Sequence, residues 1–323
     1  MKKLMISMLA MAAMVSCTNE IENPDQPQVN QNEPTPIEFG SSILGVQTKA
    51  APGETDVTFD ADETVGVTMY LGEIPTGAGL GTPDKSNVSF TVGADGKALK
   101  ETATNKTMFW KRGSKHQFYA YYPIVASDPN YTRTEATGEN AEKITVTVPT
   151  DGNTTDLLMG KLELNTAYAG TASSSEIGFN HMLSKIKFVF KKDASYTGSA
   201  SLSNISVTLD KNSKVFDMVS QQGVATETAV TIVKDLSASP YTISLDNTTV
   251  HSWVPIVIPD AKVTNLSLKI DDQTLTTDAF GSLAFEAGKM TTLTITLTSS
   301  NIELTSKITA WSDGGTAGSA TVK

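Results

Sequence analysis

The amino-acid sequence predicts an all-β protein: two consecutive β-sandwich domains of the transthyretin-like or Greek-key type, placed after a signal peptide and a flexible tether. Short segments in which apolar and polar residues alternate recur along most of the chain, and this period of two is typical of half-buried strands. Gly, Pro, Asn and Asp turn signals separate the segments, and Thr, Val and Ile, which favour pleated strands, are frequent. Outside residues 181–185, no stretch has helical periodicity. Many short strands with turns between them indicate β-sandwiches.

The start of the chain has the order of a bacterial lipoprotein leader. Lys2 and Lys3 give a positive beginning, residues 4–15 are apolar except for one serine, and the small Ser16 precedes Cys17. The apolar run is too short to cross a membrane, which takes about 20 residues. Cys17 is the only cysteine, so it cannot close an intramolecular disulfide. We predict a signal peptide over residues 1–16 and a lipid on Cys17; an ordinary leader that carries a cysteine near its cleavage point is the alternative.

The next segment has the composition of a spacer. Residues 17–36 contain four prolines among Glu, Asn, Gln and Asp, and nothing apolar repeats there, so we predict a flexible tether. Thr18 rather than an aspartate follows Cys17, which in lipoprotein sorting favours the outer membrane. The body is predicted to form an N-terminal domain over residues 37–172 and a C-terminal domain over residues 173–323, divided in the small, polar stretch 169–175.

The first predicted strand covers residues 37–46, where Ile37, Phe39 and Ile43 fall on one face. Residues 47–53 end in a proline and a glycine, so we predict an exposed loop directly after this strand. The last predicted strand begins at Ile302 and leads into a Gly-rich tail.

The sequence offers little for catalysis or cofactor binding. The three histidines, His116, His181 and His251, have no metal-binding or catalytic spacing, and the nucleophile-elbow, P-loop and dinucleotide-binding motifs are missing. We predict no enzyme activity, no cofactor and no metal site, although two carboxylates that converge in space could still form a glycosidase. The acidic residues 60–63 are interpreted as a turn rather than a calcium loop, because the regular spacing of oxygen ligands is missing.

Charge and aromatic residues limit the possible partners. The net charge of −10 and the pI near 4.8 argue against a nucleic acid partner. An aromatic cluster that includes Trp110, Tyr119 and Tyr121 could form a sugar-binding platform. Such clusters more often belong to a core and to cross-strand pairs, which is the interpretation we favour.

Several stretches, in this order behind the lipobox ending at Cys17, resemble the fimbrillin family, the lipoprotein subunits of protease-assembled (type V) pili. They span nearly the whole chain. They are residues 46–50 (VQTKA), the acidic turn before residues 65–67 (VGV), Trp110 followed by residues 118–123 (FYAYYP), residues 179–186 (FNHMLSKI), Gly288 and Lys289 before the strand at Leu293, and residues 308–311 (ITAW).

The resemblance implies a mechanism of assembly. A trypsin-like protease would cut the lipidated precursor between Lys49 and Ala50 and so remove the strand of residues 37–46. The apolar groove left behind would take a strand from another pilus subunit by β-augmentation. Residues 302–323 are the candidate donor, because they alternate and lie at a free end. The expected location is the cell surface, in a fimbrium or anchored to the outer membrane through Cys17, with a surface or host receptor as a further partner.

One residue departs from the family pattern. The family usually has arginine at the cleavage position, where this chain has Lys49. An arginine-specific protease would ignore Lys49, which would leave the subunit lipid-tethered as an anchor, and Lys49 could also be an ordinary loop lysine. The main alternative function is a monomeric surface lipoprotein that binds a glycan or a host protein.

Overall fold

The fold is described from a computed structural model, in which residues 34–44, 58–73, 82–137, 140–170, 175–246, 248–249, 253–278, 280, 283–299 and 302–310 are placed. These residues form strands, turns and one short 3-10 helix, Val125–Ser127. The strands are β1 (Glu38–Ile43), β2 (Thr64–Leu71), β3 (Lys85–Val92), β4 (Leu99–Glu101), β5 (His116–Tyr122), β6 (Tyr131–Thr134), β7 (Lys143–Thr147), β8 (Leu158–Leu164), β9 (Glu176–His181), β10 (Ser184–Lys192), β11 (Ser201–Leu209), β12 (Ser213–Asp217), β13 (Gly223–Thr226), β14 (Val230–Asp235), β15 (Tyr241–Thr242), β16 (Thr248–Thr249), β17 (Ile256–Val257), β18 (Val263–Ile270), β19 (Gln273–Thr277), β20 (Lys289–Leu297) and β21 (Ile302–Ala310).

The first sheet closes into a barrel of seven strands in the order β1-β4-β3-β2-β5-β8-β9, with β9 returning to β1. Alternation along each strand sends every second side chain inward, where apolar groups fill the barrel. The interior is lined by Ile37, Phe39, Ile43, Val65, Val67, Met69, Phe90, Val92, Leu99, Phe118, Ala120, Leu158, Ile177 and Phe179.

A four-stranded sheet, β13-β12-β7-β6, covers part of the outer face of the barrel. The barrel strands β2, β5 and β8 each carry large side chains on the outer face as well, and these would be exposed without this cover. The outward residues Tyr70, Tyr119, Tyr121 and Met159 share a core with Tyr131, Ile144, Val146 and Phe216 of the covering sheet.

Two further sheets form a sandwich. One has the order β16-β10-β20-β21, with β17 also paired to β10; the other has the order β14-β11-β18-β19, with β15 also paired to β11. Their inner faces carry alternating aliphatic and aromatic residues, among them Phe188, Leu293, Ile205 and Leu266. Trp253 stacks on Phe188 with ring centroids 5.2 Å apart.

The all-β prediction is confirmed, and the barrel is a feature that the alternating pattern did not indicate. Strands on both sides of the proposed division at residues 172 and 173 share two sheets, because β9 completes the barrel and β12 pairs with β7. The division into two β-sandwich domains stays a prediction. Across the described residues, no helix is both long and apolar enough to span a membrane.

Candidate functional site

The strand β1 closes the barrel by bridging two strands that do not otherwise meet. Glu38 and Phe39 pair antiparallel with Lys100 and Leu99 of β4. From Gly40 onward, β1 pairs in parallel with β9. Since β1 lies between β4 and β9 in the barrel order and pairs with both, removal of β1 would leave an open groove with two strand edges.

The inward face of β1 is an apolar ridge with one polar position. Phe39, Ser41 and Ile43 of β1 are 3%, 3% and 7% exposed, and Ile37, which directly precedes β1, is 1% exposed. The Phe39 ring meets Phe118 edge-on, with centroids 4.9 Å apart. Burial of large apolar groups on a single short strand means that β1 contributes strongly to the barrel core.

Ser41 has a specific partner inside the groove. Its Oγ donates a hydrogen bond of 2.8 Å to the carbonyl oxygen of Lys97. Lys97 lies in the tight turn between β3 and β4, where Asp95 accepts from the backbone N–H groups of Lys97 and Ala98. These backbone hydrogen bonds hold the pKa of Asp95 below its usual value, and the bond from Ala98 has the larger effect. The Lys97 carbonyl is therefore fixed where an inward hydroxyl can reach it.

A buried carboxylate supports the segment that holds the beginning of β1. Glu101, 4% exposed, accepts hydrogen bonds from the N–H groups of Thr107 and Met108 and from the Thr107 hydroxyl. The carbonyl oxygen of Met108 in turn accepts from the N–H of Ile37 at 3.1 Å. The N–H of Trp110 donates to the carbonyl oxygen of Thr35. Glu101 thus fixes the entry of β1 through the loop that follows β4.

The predicted cleavage and lipidation residues belong to parts of the chain that the structure does not describe. Cys17, Lys49 and Ala50 all lie outside the described residues, which resume at residue 58 after Leu44. Residues 311–323 of the proposed donor segment also lie outside them. Its described part is β21, whose nine residues pair antiparallel with β20 at the edge of the sandwich sheet.

The aromatic cluster belongs to the core. Trp110 is 8% exposed and stacks on Tyr168, and Tyr119 and Tyr121 are fully buried. The Tyr121 hydroxyl donates to Asn87 Oδ1 at 2.7 Å, and burial raises the pKa of Tyr121 to about 12. These rings therefore present no stacking platform to a sugar, and the preferred core interpretation is confirmed.

The titratable groups singled out in the sequence have structural partners. His116 Nε2 accepts from the backbone N–H of Lys111 at 3.0 Å, and His181 Nδ1 is bonded to Asp156. His251 is outside the described residues. Residues 60–63 form a turn, with the N–H of Asp60 donating to Glu63. In the described part of the chain, no three His, Cys, Asp or Glu side chains are grouped as metal ligands.

A polar groove of about 810 Å³ lies on the outer face of the sheet that contains β11 and β18. Its central carboxylate, Asp271, is occupied by the chain itself: it accepts from the N–H groups of Ala200 and Ser201 and from the hydroxyls of Ser199 and Tyr196. Burial opposes ionisation, but these hydrogen bonds outweigh it and lower the pKa of Asp271 to about 2. Asp271 therefore holds the turn between β10 and β11 in place through these hydrogen bonds.

Comparisons with known proteins agree with this architecture. The family described as Fimbrillin-like matches residues 48–311. The chain belongs to the fimbrillin-like family. Among curated proteins, the chain is 26% identical to the "Putative fimbrium subunit Fim1C" of Bacteroides uniformis, over 98% of both chains.

Two solved structures show the same fold. A fimbrial protein from Bacteroides vulgatus has a TM-score of 0.56 and 19% identity, covering 85% of this chain and 99% of its own. A "putative cell adhesion protein" from Bacteroides ovatus has a TM-score of 0.59 and 19% identity, covering 87% of this chain and 99% of its own.

Two features of this fimbrillin-like chain escaped the sequence analysis, the position of β1 between β4 and β9 and the buried Glu101. The burial of Glu101 could have been inferred from the sequence. Leu99 and Glu101 share one face of β4, so the alternating pattern placed a carboxylate among inward residues, and a buried carboxylate requires hydrogen-bond donors.

Proposed function

We propose that this fimbrillin-like protein is a structural and adhesive subunit of a cell-surface fimbria, without catalytic activity. The observation that carries the proposal is the position of β1. This strand is the first of the described strands and lies between β4 and β9 in the barrel. A strand so placed can be removed by one cut in the following loop without interrupting the rest of the chain.

Removal of β1 would supply the driving force for assembly. Uncovering the sites of Ile37, Phe39 and Ile43, all buried, would cost roughly 1.5–3 kcal/mol for each well-buried side chain. The edges of β4 and β9 would also lose their hydrogen-bond partners. A strand from another subunit that covers the apolar groove and pairs with both strand edges would be held firmly.

The proposed sequence of events follows from the order of the segments. The precursor is exported with its signal peptide, receives a lipid on Cys17, and is held at the outer membrane. Cleavage between Lys49 and Ala50 then separates the lipid, the tether and β1 from the body. Before the cut, the proposed arrangement of the body is two β-sandwich domains over residues 37–172 and 173–323. After the cut, the body joins other pilus subunits by donor-strand exchange, with residues 302–323 as donor.

The presence of lysine at position 49 makes the proposal specific. A protease that accepts lysine would process the subunit, whereas an arginine-specific protease would leave it attached to the membrane as an anchor. Both forms belong to a fimbria, but only the first can accept a strand.

Limited tryptic cleavage of the chain from Thr18 onward tests the proposal. We expect one early cut after Lys49, identified by mass spectrometry, and the appearance of higher oligomers on size exclusion. The matched variant Lys49→Ala should remain uncut at this position and monomeric. A wild-type chain that is cut after Lys49, loses β1 and stays folded and monomeric in the presence of other fimbrial subunits would contradict assembly by strand exchange.

A further inference from the structure

A concave pocket lies where four connecting segments of the described body meet. They are the turns between β9 and β10, between β12 and β13 and between β17 and β18, and the segment directly before β20. The pocket has a volume of about 490 Å³, within the range of about 300–1,000 Å³ that is typical of small-molecule sites. We call it the junction pocket. Its lining includes Lys214, Phe216, Gln221, Asp260, Phe285 and Glu286.

Hydrogen bonds within the chain hold the walls of the junction pocket. In the turn between β12 and β13, Asp217 Oδ1 accepts from the N–H of Ser220 at 2.9 Å, and the N–H of Gln221 donates to the carbonyl oxygen of Asp217 at 2.9 Å. The N–H of Asp260 donates to the carbonyl oxygen of Phe285 at 2.9 Å, which joins two of the segments. The pocket is therefore preformed, and a ligand does not have to order the chain in order to bind.

A buried lysine supplies hydrogen-bond donors at the wall of the pocket. Lys214 lies on the buried face of β12 and is 6% exposed. Its Nζ lies 2.6 Å from Asp260 Oδ2 and 5.3 Å from the centre of the Phe216 ring. An ammonium group has three N–H donors, and within the described part of the chain Asp260 is the one hydrogen-bond acceptor of Lys214. The remaining donors are therefore available to oxygen atoms of a ligand.

The second donor is the side-chain amide of Gln221. Its nitrogen Nε2 is buried and has no hydrogen-bond partner among the described residues. A buried amide nitrogen without a partner costs free energy, and a ligand oxygen that accepts from it removes this cost. Gln221 also has a φ of 56°, and Asp260 has a φ of 67°. Residues other than glycine seldom adopt this left-handed region, and those that do cluster at ligand-binding sites.

The charges of the pocket favour a neutral ligand. The carboxylates of Asp260 and Glu286 oppose a second anion, and the ammonium group of Lys214 opposes a cation. The Asp260 side chain is 68% exposed, so its carboxylate can accept from a ligand while it stays paired with Lys214. A hydroxyl group donates and accepts hydrogen bonds, and a carboxylate beside two kinds of N–H donor serves both roles. Met182 and Pro259 add apolar lining for the C–H groups of a sugar ring.

We propose that the junction pocket binds a neutral sugar, a hexose or an N-acetylhexosamine unit of a surface glycan. Lys214 and Gln221 donate to oxygen atoms of the sugar, and Asp260 accepts from a sugar hydroxyl. This inference rests on the adhesive part of the proposed function and is independent of strand exchange. The described lining includes no residue of β1, so the pocket does not depend on whether β1 is present.

An NMR titration of the ¹⁵N-labelled chain from Thr18 onward tests the inference. The neutral probes are lactose, maltose and N-acetyllactosamine, and the charged comparisons are glucuronic acid and glucosamine. We expect saturable binding of at least one neutral probe, with shifts of the Gln221 side-chain amide and of the backbone amides of residues 220–223 and 285–287. The charged sugars should bind about tenfold more weakly or less, because each meets a like charge in the pocket.

Four variants separate the pocket from general effects on the fold. Gln221→Ala removes one hydrogen bond and should weaken binding about three- to tenfold, and Lys214→Met, which keeps the apolar stem, about tenfold or more. Asp260→Asn changes an exposed side chain, and asparagine tolerates a left-handed backbone. This variant should therefore fold and bind more weakly, and it keeps the test valid if Lys214→Met does not fold. Gln273→Ala, exposed on β19, is the matched control and should bind as the wild-type chain does.

The outcomes also separate this inference from strand exchange. Binding of a neutral sugar that is weakened in the pocket variants and kept in Gln273→Ala supports the inference. No saturable shift with any neutral probe, shifts that map outside the pocket, or tighter binding of a charged sugar would overturn it. Assembly is measured separately, on chains cut after Lys49. Oligomers without sugar binding overturn this inference alone, whereas sugar binding without oligomers overturns strand exchange alone.

Discussion

The Ser41 hydroxyl and the Lys97 carbonyl oxygen, 2.8 Å apart, form a side-chain hydrogen bond that ties the inward face of β1 to the turn between β3 and β4. The residues on either side along the same face, Phe39 and Ile43, are apolar. A single polar contact in an apolar row contributes less energy than its neighbours, but it fixes which residue must lie at that step. A shift of β1 by two residues would leave the carbonyl without its donor.

Ser41→Ala tests this contact. Loss of the hydroxyl leaves the Lys97 carbonyl oxygen without its hydrogen-bond donor, so the free energy of unfolding should fall by about 1 kcal/mol. Urea denaturation measures the change. Ser42→Ala, on the outward face, is the matched control and should have little effect. Equal effects of both substitutions would show that the contact does not hold β1.

Phe39→Ala tests the apolar contribution of β1. The ring is 3% exposed and packs against Phe90 and Phe118, so its loss should lower the free energy of unfolding by about 3–5 kcal/mol. After cleavage at Lys49, the variant should release β1 faster than the wild-type chain, as followed by size exclusion of the released peptide. Glu38→Ala, exposed on the same strand, should leave the release rate nearly unchanged; an equally fast release would contradict the account.

Glu101→Gln tests the support for the entry of β1. The amide has one acceptor oxygen where the carboxylate has two, so part of the bonding to Thr107 and Met108 is lost, at a cost of about 1.5–3 kcal/mol. Because Met108 accepts from the N–H of Ile37, exchange of the Ile37 amide hydrogen should accelerate. Unchanged protection at Ile37 would show that the loop does not depend on Glu101. Glu163→Gln, on the outer surface of β8, is the control.

Asp271→Asn tests the turn between β10 and β11 through pH. The folded-state pKa of Asp271 is lowered to about 2, below the unfolded value of about 3.9. The stabilisation from the carboxylate is therefore complete above about pH 4 and is lost as the pH falls through about 2. The wild-type unfolding free energy should decline over this window, and that of Asp271→Asn should decline less. Parallel pH profiles would contradict the assignment.

The local alternation of apolar and polar residues predicted the strands well, and it predicted which residues at β1 face inward. Ile37, Phe39 and Ile43 were assigned to one face from their spacing, and all three are buried. Asp95 and Gly96 lie in the turn between β3 and β4, and an Asp-Gly pair favours a hairpin turn because turn chemistry is local.

Closure of the barrel could not be predicted in the same way. The partners of β1 are β4 and β9, and the pairing of Gly40 with Glu176 spans more than a hundred residues of sequence. Alternation is the same whether a strand lies in a sandwich or a barrel, so it gives no information on such distant pairing. The buried hydrogen bonds of Glu101 and Ser41 depend on that pairing and were missed with it.

Binding of a β1 peptide to the cut protein tests the central claim most directly. The chain from Thr18 onward is cut after Lys49, separated from the released peptide, and titrated with a fluorescent peptide of residues 35–45. We predict saturable binding to the cut protein, little binding to the intact chain, and weaker binding of the same peptide with Phe39→Ala. A cut protein that keeps its strand content by circular dichroism, has lost β1, and does not bind the peptide would contradict the existence of an acceptor groove.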